Sequence, residues 1–179
     1  MASELHVDAI KHSGGTSALT IDSSGNVHKA GMVVQTVDFT HGTTVASNST
    51  SFVNTGLVGT ITPKFSNSKI YISVFQQYRI SGVHDHGIGF KITRTIGGAV
   101  TTVYTPATSY EVYFYDGTAN STSHEEHGRF PIFAVDSPNS TSACAYNVQF
   151  ASMRTDNSNS AKAQDSSNKS HGYLMEIAQ

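Results

Sequence analysis

The feature that most constrains the fold of this chain is a period-two alternation of apolar and polar residues. Side chains alternate between the two faces of an extended strand, so this spacing predicts strands with one buried face. No window longer than ten residues has convincing helical spacing. The alternation is clearest in "KIYISVFQQYRI", "GFKITRTI", "YEVYFY" and "SACAYNVQF". The first segment has on one face Ile70, Ile72, Val74, Tyr78 and Ile80. The last has on one face Cys144, Tyr146, Val148 and Phe150.

Turn-forming residues separate the strands, as in "FSNS", "TIGGAV", "YDGTANSTS" and "DSPNST". Short amphipathic strands joined in this way indicate two antiparallel sheets packed face to face, or a barrel. We therefore predict an all-β fold in which residues 32–179 form one antiparallel, jelly-roll-like β-sandwich. Further strands are predicted at residues 33–40, 51–57, 59–63, 99–105 and 129–135, and the closing strand is expected to have Tyr173, Met175 and Ile177 as its apolar face.

Two segments differ from this pattern. Residues 154–172 are polar and lack periodicity, which predicts a long exposed loop or an irregular hairpin tip. Residues 1–31 form a short N-terminal β arm, in which "ALTIDSSGNV" has the alternation and the turn residues of a hairpin. The predicted organisation is thus a docking or trimerisation arm, residues 1–31, followed by the sandwich.

The arm has too few apolar residues to form a core of its own. A lone two-stranded hairpin is marginally stable in water at best, so these residues need a partner. The partner could be the body of the same chain, the equivalent arms of sister chains, or another protein. The predicted docking residues are Leu5, Val7, Ile10, Leu19, Ile21 and Val27.

The composition excludes several partners. Charged residues make up 13% of the chain, against roughly 25% in ordinary globular domains. The formal net charge of -2 provides no basic field for nucleic acid or anionic lipid. No apolar run reaches signal-peptide or membrane-span length, so we expect synthesis in a cytoplasm and no membrane insertion. The single cysteine, Cys144, shares a strand face with Tyr146 and Phe150 and is predicted to be a core thiol.

No catalytic motif is present, and we expect no enzymatic activity. The sequence contains neither a G-x-S-x-G nucleophile turn nor a phosphate-binding loop, and its carboxylates are few and scattered. In "HEEH" the histidines His124 and His127 are three residues apart, which is not the H-E-x-x-H zinc spacing.

The segment "YEVYFY" is aromatic on both faces. Tyr113 and Tyr115 lie on the strand face opposite Val112 and Phe114. If Val112 and Phe114 face the core, the two tyrosines need a contact outside it. Either a neighbouring subunit covers the tyrosines, or they form a surface on which a sugar stacks.

Two stretches resemble known virion proteins. "IKHSGGTSALTIDSSGNV" is similar to an N-terminal segment that recurs in tail-fibre and other structural proteins of tailed bacteriophages, notably those of cyanobacteria and marine bacteria. "ITPKFSNSKIYISV" and the closing "YLMEIAQ" resemble strands of phage-fibre β-sandwiches. The resemblance implies a bacteriophage virion structural protein, located in the virion and commonly a homotrimer. It leaves open a short tail fibre or fibre tip for host attachment, which would bind a host-surface glycan or receptor, and a capsid decoration (cement) protein on the phage head.

A histidine pair follows a turn in "SGVHDHGIGF". His84 and His86 are two residues apart and would point to one face of a strand. A symmetric trimer could then bring six imidazoles to its axis, an octahedral site for a divalent metal, and such a pair resembles iron-binding sites of some phage fibres and spikes. The alternative is two exposed loop histidines, and no other cofactor is expected.

Overall fold

The computed structural model describes residues 6–108, 110–115, 123–155 and 160–179. Within these residues the chain is built from strands and one 3-10 turn, and every strand pairing is antiparallel. The strands are β1 Ala9–Lys11, β2 Ser17–Ile21, β3 Val27–His28, β4 Val33–His41, β5 Val45–Ser47, β6 Val53–Ile61, β7 Lys69–Gly82, β8 His86–Ile96, β9 Ala99–Tyr104, β10 Val112–Phe114, β11 His124–Asp136, β12 Cys144–Ser152, β13 Ser160–Ala163 and β14 Ser170–Ile177, and the 3-10 turn is Asp165–Ser167.

The strands form three sheets. The arm sheet has the order β1-β2-β3. The five-stranded sheet has the order β6-β12-β8, and β9 and β10 pair with opposite ends of the same edge of β8. In the six-stranded sheet, the long strand β7 pairs with β11 on one edge. On its other edge, β7 pairs first with β14 and then with β13, and these continue to β4 and β5.

The core lies between the five- and six-stranded sheets. Each sheet contributes alternate residues of its strands, as the period-two pattern requires. The predicted fold class, an antiparallel, jelly-roll-like β-sandwich, is confirmed. The largest fully buried side chains are Leu57, Ile61, Ile70, Gln76, Ile80, Ile88, Phe90, Ile92, Ile132, Tyr146, Phe150 and Leu174.

Polar groups also join the two sheets inside the sandwich. The Arg94 guanidinium, on β8, donates to both carboxylate oxygens of Asp136, on β11, at 2.8 and 2.6 Å. The hydroxyl of Tyr146 donates to the same carboxylate at 2.8 Å, and burial together with this bond raises the pKa of Tyr146. Arg94, Asp136 and Tyr146 therefore satisfy one another across the sheets, which is what makes their burial tolerable.

The predicted loop at residues 154–172 is only partly a loop. Its second half forms β13 and a 3-10 turn, and Ala161, Ala163 and Gln164 are completely buried. Lys162 lies on the opposite face of β13, so the strand does alternate, but with alanines as its apolar residues. Alanine is too weak a hydrophobic signal for the pattern to be recognised in the sequence.

Other strand predictions were right in place but wrong in extent. The strands expected at 51–57 and 59–63 form a single strand, β6, which contains a register shift where Gly56 has a φ of +84°. Strand β11 begins at His124 and so includes "HEEH". In the closing strand β14, the face that enters the core is Leu174 and Glu176, and the predicted face, represented by Tyr173, points outward.

Candidate interaction surfaces

The arm sheet has one apolar face. Ile10 lies opposite Leu19 across β1 and β2, and Ile21 lies opposite Val27 across β2 and β3. Residues directly opposite in antiparallel strands share a face, and Leu19 and Ile21 are two apart, so all four side chains lie on the same side. None of the described arm residues, 6–31, is buried, and Ile10 is 48% exposed. The described residues of a single chain therefore leave this apolar face partly exposed, with Leu19 and Ile21 half-buried and Ile10 and Val27 exposed.

The two remaining predicted docking residues do not extend this face. Val7 is partly buried and precedes β1, and Leu5 lies outside the described residues.

The arm hairpin is held by a local turn. One carboxylate oxygen of Asp22 accepts from the backbone N–H groups of Ser24 and Asn26 at 2.9 and 2.8 Å, and the other accepts from the Asn26 side-chain amide at 2.9 Å. These bonds lower the pKa of Asp22, the side-chain bond from Asn26 most. Gly25 has a φ of +80°, which a glycine adopts without strain. The turn thus shapes the arm although nothing packs on it.

The base of the arm is attached to the C-terminal residues. The N–H of Gly31 donates to the carbonyl of Ala178 at 2.8 Å, and the N–H of Ala178 donates to the carbonyl of Met32 at 3.0 Å. The His28 ring packs edge-on against Phe65, with 4.8 Å between ring centroids. The arm therefore leaves the body beside the end of β14.

The outer face of the six-stranded sheet has a second uncovered apolar surface, which we call the aromatic patch. It extends across β14, β7 and β11, because Met175 lies opposite Tyr71 and Tyr71 lies opposite Val135. Phe133 is 66% exposed and meets Phe75 edge-on at 6.3 Å between centroids. The patch consists of Tyr71, Phe75, Phe133, Val135, Tyr173 and Met175.

The outer face of the five-stranded sheet is mainly polar by contrast, with Val58 and Val100 as its exposed large apolar residues. Asn54, Asn147 and Gln149 lie side by side there, and the Asn54 oxygen accepts from the side-chain amides of Asn147 and Gln149 at 3.3 and 2.9 Å. Lys91 and the exposed Thr102 continue this face along β8 and β9. An antiparallel sheet with one solvated face usually shows this composition, so the aromatic patch is the exception that needs a covering.

A cluster of charges occupies the other end of the six-stranded sheet's outer face. Arg79 lies between Lys162 and His127 in register, and the carboxylates of Glu125 and Asp165 bridge these three side chains. Asp165 lies 3.3 Å from the Lys162 ammonium and 3.7 Å from the Arg79 Nε. The Arg79 hydrogen bond, with a further one from His127, lowers the pKa of Glu125 to about 2. Sequence reasoning missed this cluster because its members come from three separate segments.

The predicted tyrosine surface lies at the edge of the five-stranded sheet, apart from the aromatic patch. The ring of Tyr113 lies 5.0 Å from that of Tyr110 and 6.3 Å from that of Tyr115, between centroids. The Tyr113 hydroxyl donates to the Asp85 carboxylate at 3.0 Å, and Tyr115 is 70% exposed. The outward direction of both rings agrees with the alternation, while a subunit or glycan contact there stays a prediction.

The two histidines of the predicted metal pair have different environments. His84 lies on the bend before β8 and His86 is the first residue of that strand, so only one of the two histidines belongs to a strand. The Nδ1 atom of the buried His86 hydrogen-bonds the carbonyl of His84 at 2.7 Å, while its Nε2 atom has no partner among the residues that the structure describes. The His86 ring stacks on Phe114, which stacks on His124. In the described residues no three His, Cys, Asp or Glu side chains form a metal-binding group; a metal on a trimer axis stays a prediction.

Among the described residues, no helix is long and apolar enough to span a bilayer. Cys144 is buried as predicted, and burial raises the pKa of its thiol.

Comparisons with known proteins found similarity only at the level of solved structures. No family model and no curated protein matches the chain. Structures of infectious bursal disease virus, Gx and Gt strains, match with TM-scores of 0.38 and 0.36 at 11% and 14% identity, over 82% and 97% of this chain and 33% and 43% of theirs. A mutant VP2 protein of that virus, from T=1 particles, matches with a TM-score of 0.38 at 13% identity, over 96% of this chain and 41% of its own. The chain thus spans less than half the length of these proteins, and the likeness is too distant to transfer any property.

Proposed function

We propose that this protein is a non-enzymatic structural component of a bacteriophage virion, acting as a homotrimeric short tail fibre or fibre tip that contacts the host surface. The observation that carries the proposal is the arm sheet, which has a defined turn and a single apolar face that the described residues leave partly exposed. Because β1 has three residues and β3 only two, this sheet is little more than the isolated hairpin that is marginally stable in water. Its sequence is also the part of the chain that resembles the N-terminal segments of phage fibres.

A trimer fits this arrangement because identical arms can cover identical surfaces on neighbouring copies. Closed rotational symmetry satisfies every copy equally and leaves no free apolar face. Other virion proteins are the second class of partner, since an arm attached at one end of the body can also dock on a virion neighbour.

The host contact in this proposal is the tyrosine surface around Tyr113 and Tyr115. Aromatic rings with a polar tip are suited to stacking on sugars while their hydroxyls make hydrogen bonds. Asp85 and Arg154 lie beside Tyr113 and supply a carboxylate and a guanidinium for recognition of hydroxyl groups.

A capsid decoration (cement) protein is the second candidate. A protein that bridges capsid subunits needs more than one contact surface, and this chain has two uncovered apolar faces on different sheets, the arm face and the aromatic patch. The two candidates differ in where the protein is located on the particle.

Labelling of intact particles tests the proposal. We expect antibodies against the sandwich to mark the tail tip in electron micrographs, whereas marking of the head would favour decoration. Particles purified without any bound copy of the protein would contradict both candidates.

The role of the arm is tested by comparing how well two single-residue variants are incorporated into phage particles. Ile10→Glu places a charge on the arm face and is expected to abolish incorporation into particles. Val100→Glu is the matched control, because Val100 is 66% exposed on β9 of the sheet with the polar outer face. Equal incorporation of the two variants would show that the arm is not the attachment element.

A further inference from the structure

We infer that the arm sheet of one copy packs on the aromatic patch of a second copy, so that the contact between copies is heterologous. The inference rests on the homotrimer of the proposed function and specifies which surfaces meet in it. It starts from the presence, on one chain, of two apolar sheet faces that the chain does not bring together.

The two faces match in width. The apolar face of the arm extends across β1, β2 and β3, and the aromatic patch extends across β14, β7 and β11. Neighbouring strands are about 4.8 Å apart, so each surface is three strands wide, roughly 10 Å between its outer strands. Packed sheets lie about 10 Å apart, and side chains from both sheets interdigitate in the space between them. Here the exposed rings of Phe133 and Tyr71 fill that space together with Ile10 and Leu19.

The area of the patch supports a protein contact. An aromatic side chain covers about 150–250 Å², so four rings that are about half exposed leave roughly 400 Å² uncovered. A patch of this size is comparable to the largest apolar patch on a typical monomer, which is often functional. A standard interface buries about 800 Å² on each partner, so one contact on the patch is small. In a closed ring each copy makes two such contacts, one through its arm face and one through its patch, and both hold it in place.

The edge of the same sheet is not the site of association. Strand β11 forms the edge on the side of Phe133 and Val135, and its middle contains Pro131, which lacks the N–H that a paired strand would require. Exposed Glu125 and Arg129 on this strand further oppose strand addition. Contact through the face of the sheet is what remains for this surface.

Packing of a patch on a second patch would leave the arm faces exposed. Packing of arm on arm would leave the patches exposed. A heterologous contact covers both surfaces in every copy, and it closes into a ring when the rotation between copies is a whole fraction of a turn. The arm leaves the body beside Ala178, three residues after Met175 of the patch, so the arm starts close to the surface that a neighbour must reach.

Cross-linking of cysteine variants distinguishes these arrangements. Ile10→Cys and Phe133→Cys each replace an exposed residue, and the native Cys144 is buried and does not react readily. The two variants are produced together in full-length form with different tags and are treated with a short bismaleimide. We expect a mixed species of twice the 19.1 kDa chain mass that carries both tags, several-fold more abundant than any species formed by either variant alone.

Each other outcome overturns the inference. A dimer from Ile10→Cys alone at the same yield indicates arm-on-arm packing, and one from Phe133→Cys alone indicates patch-on-patch packing. A mixture that forms no cross-link although light scattering gives a trimer shows that other surfaces join the copies. A Phe133→Cys and Ile10→Cys double variant that links only within one chain shows that the arm folds back on its own body. Val100→Cys, paired with Ile10→Cys, is the control for random collision.

The test is independent of the virion assignment. Purified protein without phage particles is sufficient for the cross-link, so a protein that is absent from particles can still show the heterologous contact. Conversely, a protein that marks the tail tip but gives no mixed species retains the proposed function and loses this inference.

Discussion

The hydroxyl of Ser68 donates to the carboxylate of Glu176 at 2.7 Å inside the sandwich, across 108 residues of sequence. The same carboxylate oxygen accepts from the backbone N–H groups of Lys64 and Phe65 at 2.8 and 3.1 Å, and the second oxygen accepts from the Gln35 amide at 2.6 Å. Glu176 thus fixes the turn between β6 and β7 from the last strand of the chain. Its complete burial is tolerable because each oxygen has charge-assisted hydrogen bonds.

Replacement of Glu176 by alanine is expected to destabilise the protein by about 3 kcal/mol, because the Lys64, Phe65 and Ser68 donors would lose their acceptor in the interior. For a chain of this length that corresponds to a fall in melting temperature of roughly 6–12 °C, measured by calorimetry. Glu176→Gln keeps the volume and one acceptor oxygen, so it should cost clearly less. Equal melting temperatures for the alanine variant and the wild type would refute the role of the carboxylate.

Glu176 also explains why the orientation of β14 could not be predicted. The apolar residues Tyr173, Met175 and Ile177 alternate correctly, and a sequence pattern assigns such residues to the core. The structure places them outside, because the opposite face provides Leu174 and a glutamate whose partners come from distant segments. Local alternation identifies a strand, but only the tertiary partners decide which of two adequate faces is buried.

The body strands with large apolar residues were predictable in type and facing. Ile70, Ile72, Val74 and Ile80 are buried as expected, because these four β-branched side chains outnumber Tyr71 and Phe75, the large apolar residues on the other face of β7. The buried part of residues 154–172 could not be predicted as a strand, since its core side chains are alanines and a glutamine. Of the candidate surfaces, the arm face followed from its sequence, whereas the aromatic patch depends on a register between β7, β11 and β14 that no local pattern contains.

The charge cluster predicts a defined acid sensitivity. The pKa of Glu125 is lowered from 4.5 to about 2 in the folded protein, first by the Arg79 hydrogen bond. A lowered folded-state pKa gives a stabilisation that is present above the unfolded pKa and disappears as pH falls towards the folded value. The stabilisation should therefore be complete above about pH 4.5 and absent near pH 2.

Melting curves of the wild type and Glu125→Gln between pH 2 and pH 6 measure this effect. The two melting temperatures should differ at pH 6 and converge as pH approaches 2. Arg79→Gln removes the main cause of the shift and should show the same convergence. A constant difference across the whole range would contradict the assignment to Glu125.

Removal of residues 1–26 should leave the sandwich intact. No described residue of the deleted segment is buried, and the deletion preserves His28 against Phe65 and Gly31 paired with Ala178. We expect the melting temperature of the truncated monomer to match that of wild-type protein diluted below its association threshold, within about 2 °C. Light scattering should give three times 19.1 kDa for the full chain and one chain mass for the truncated form. A truncated trimer would show that the body alone holds the copies together.

Close contact of Phe39 with two glycines gives the last prediction. The Phe39 ring on β4 lies over Gly59 of β6 and Gly172 of β14, and a Cβ added at Gly59 would lie 2.6 Å from the ring, with an even closer contact at Gly172. Gly172→Ala should therefore cost about 1–3 kcal/mol through overpacking, measured by denaturant unfolding. Phe39→Leu removes the atoms that collide, so the double variant should be more stable than the sum of the two single changes predicts, with a coupling of about 1–2 kcal/mol.

Gly14→Ala is the matched control, because its Cβ would meet only the flexible His12 ring at 3.3 Å and should change stability little. Additive effects of Gly172→Ala and Phe39→Leu would show that the cost arises elsewhere in β14.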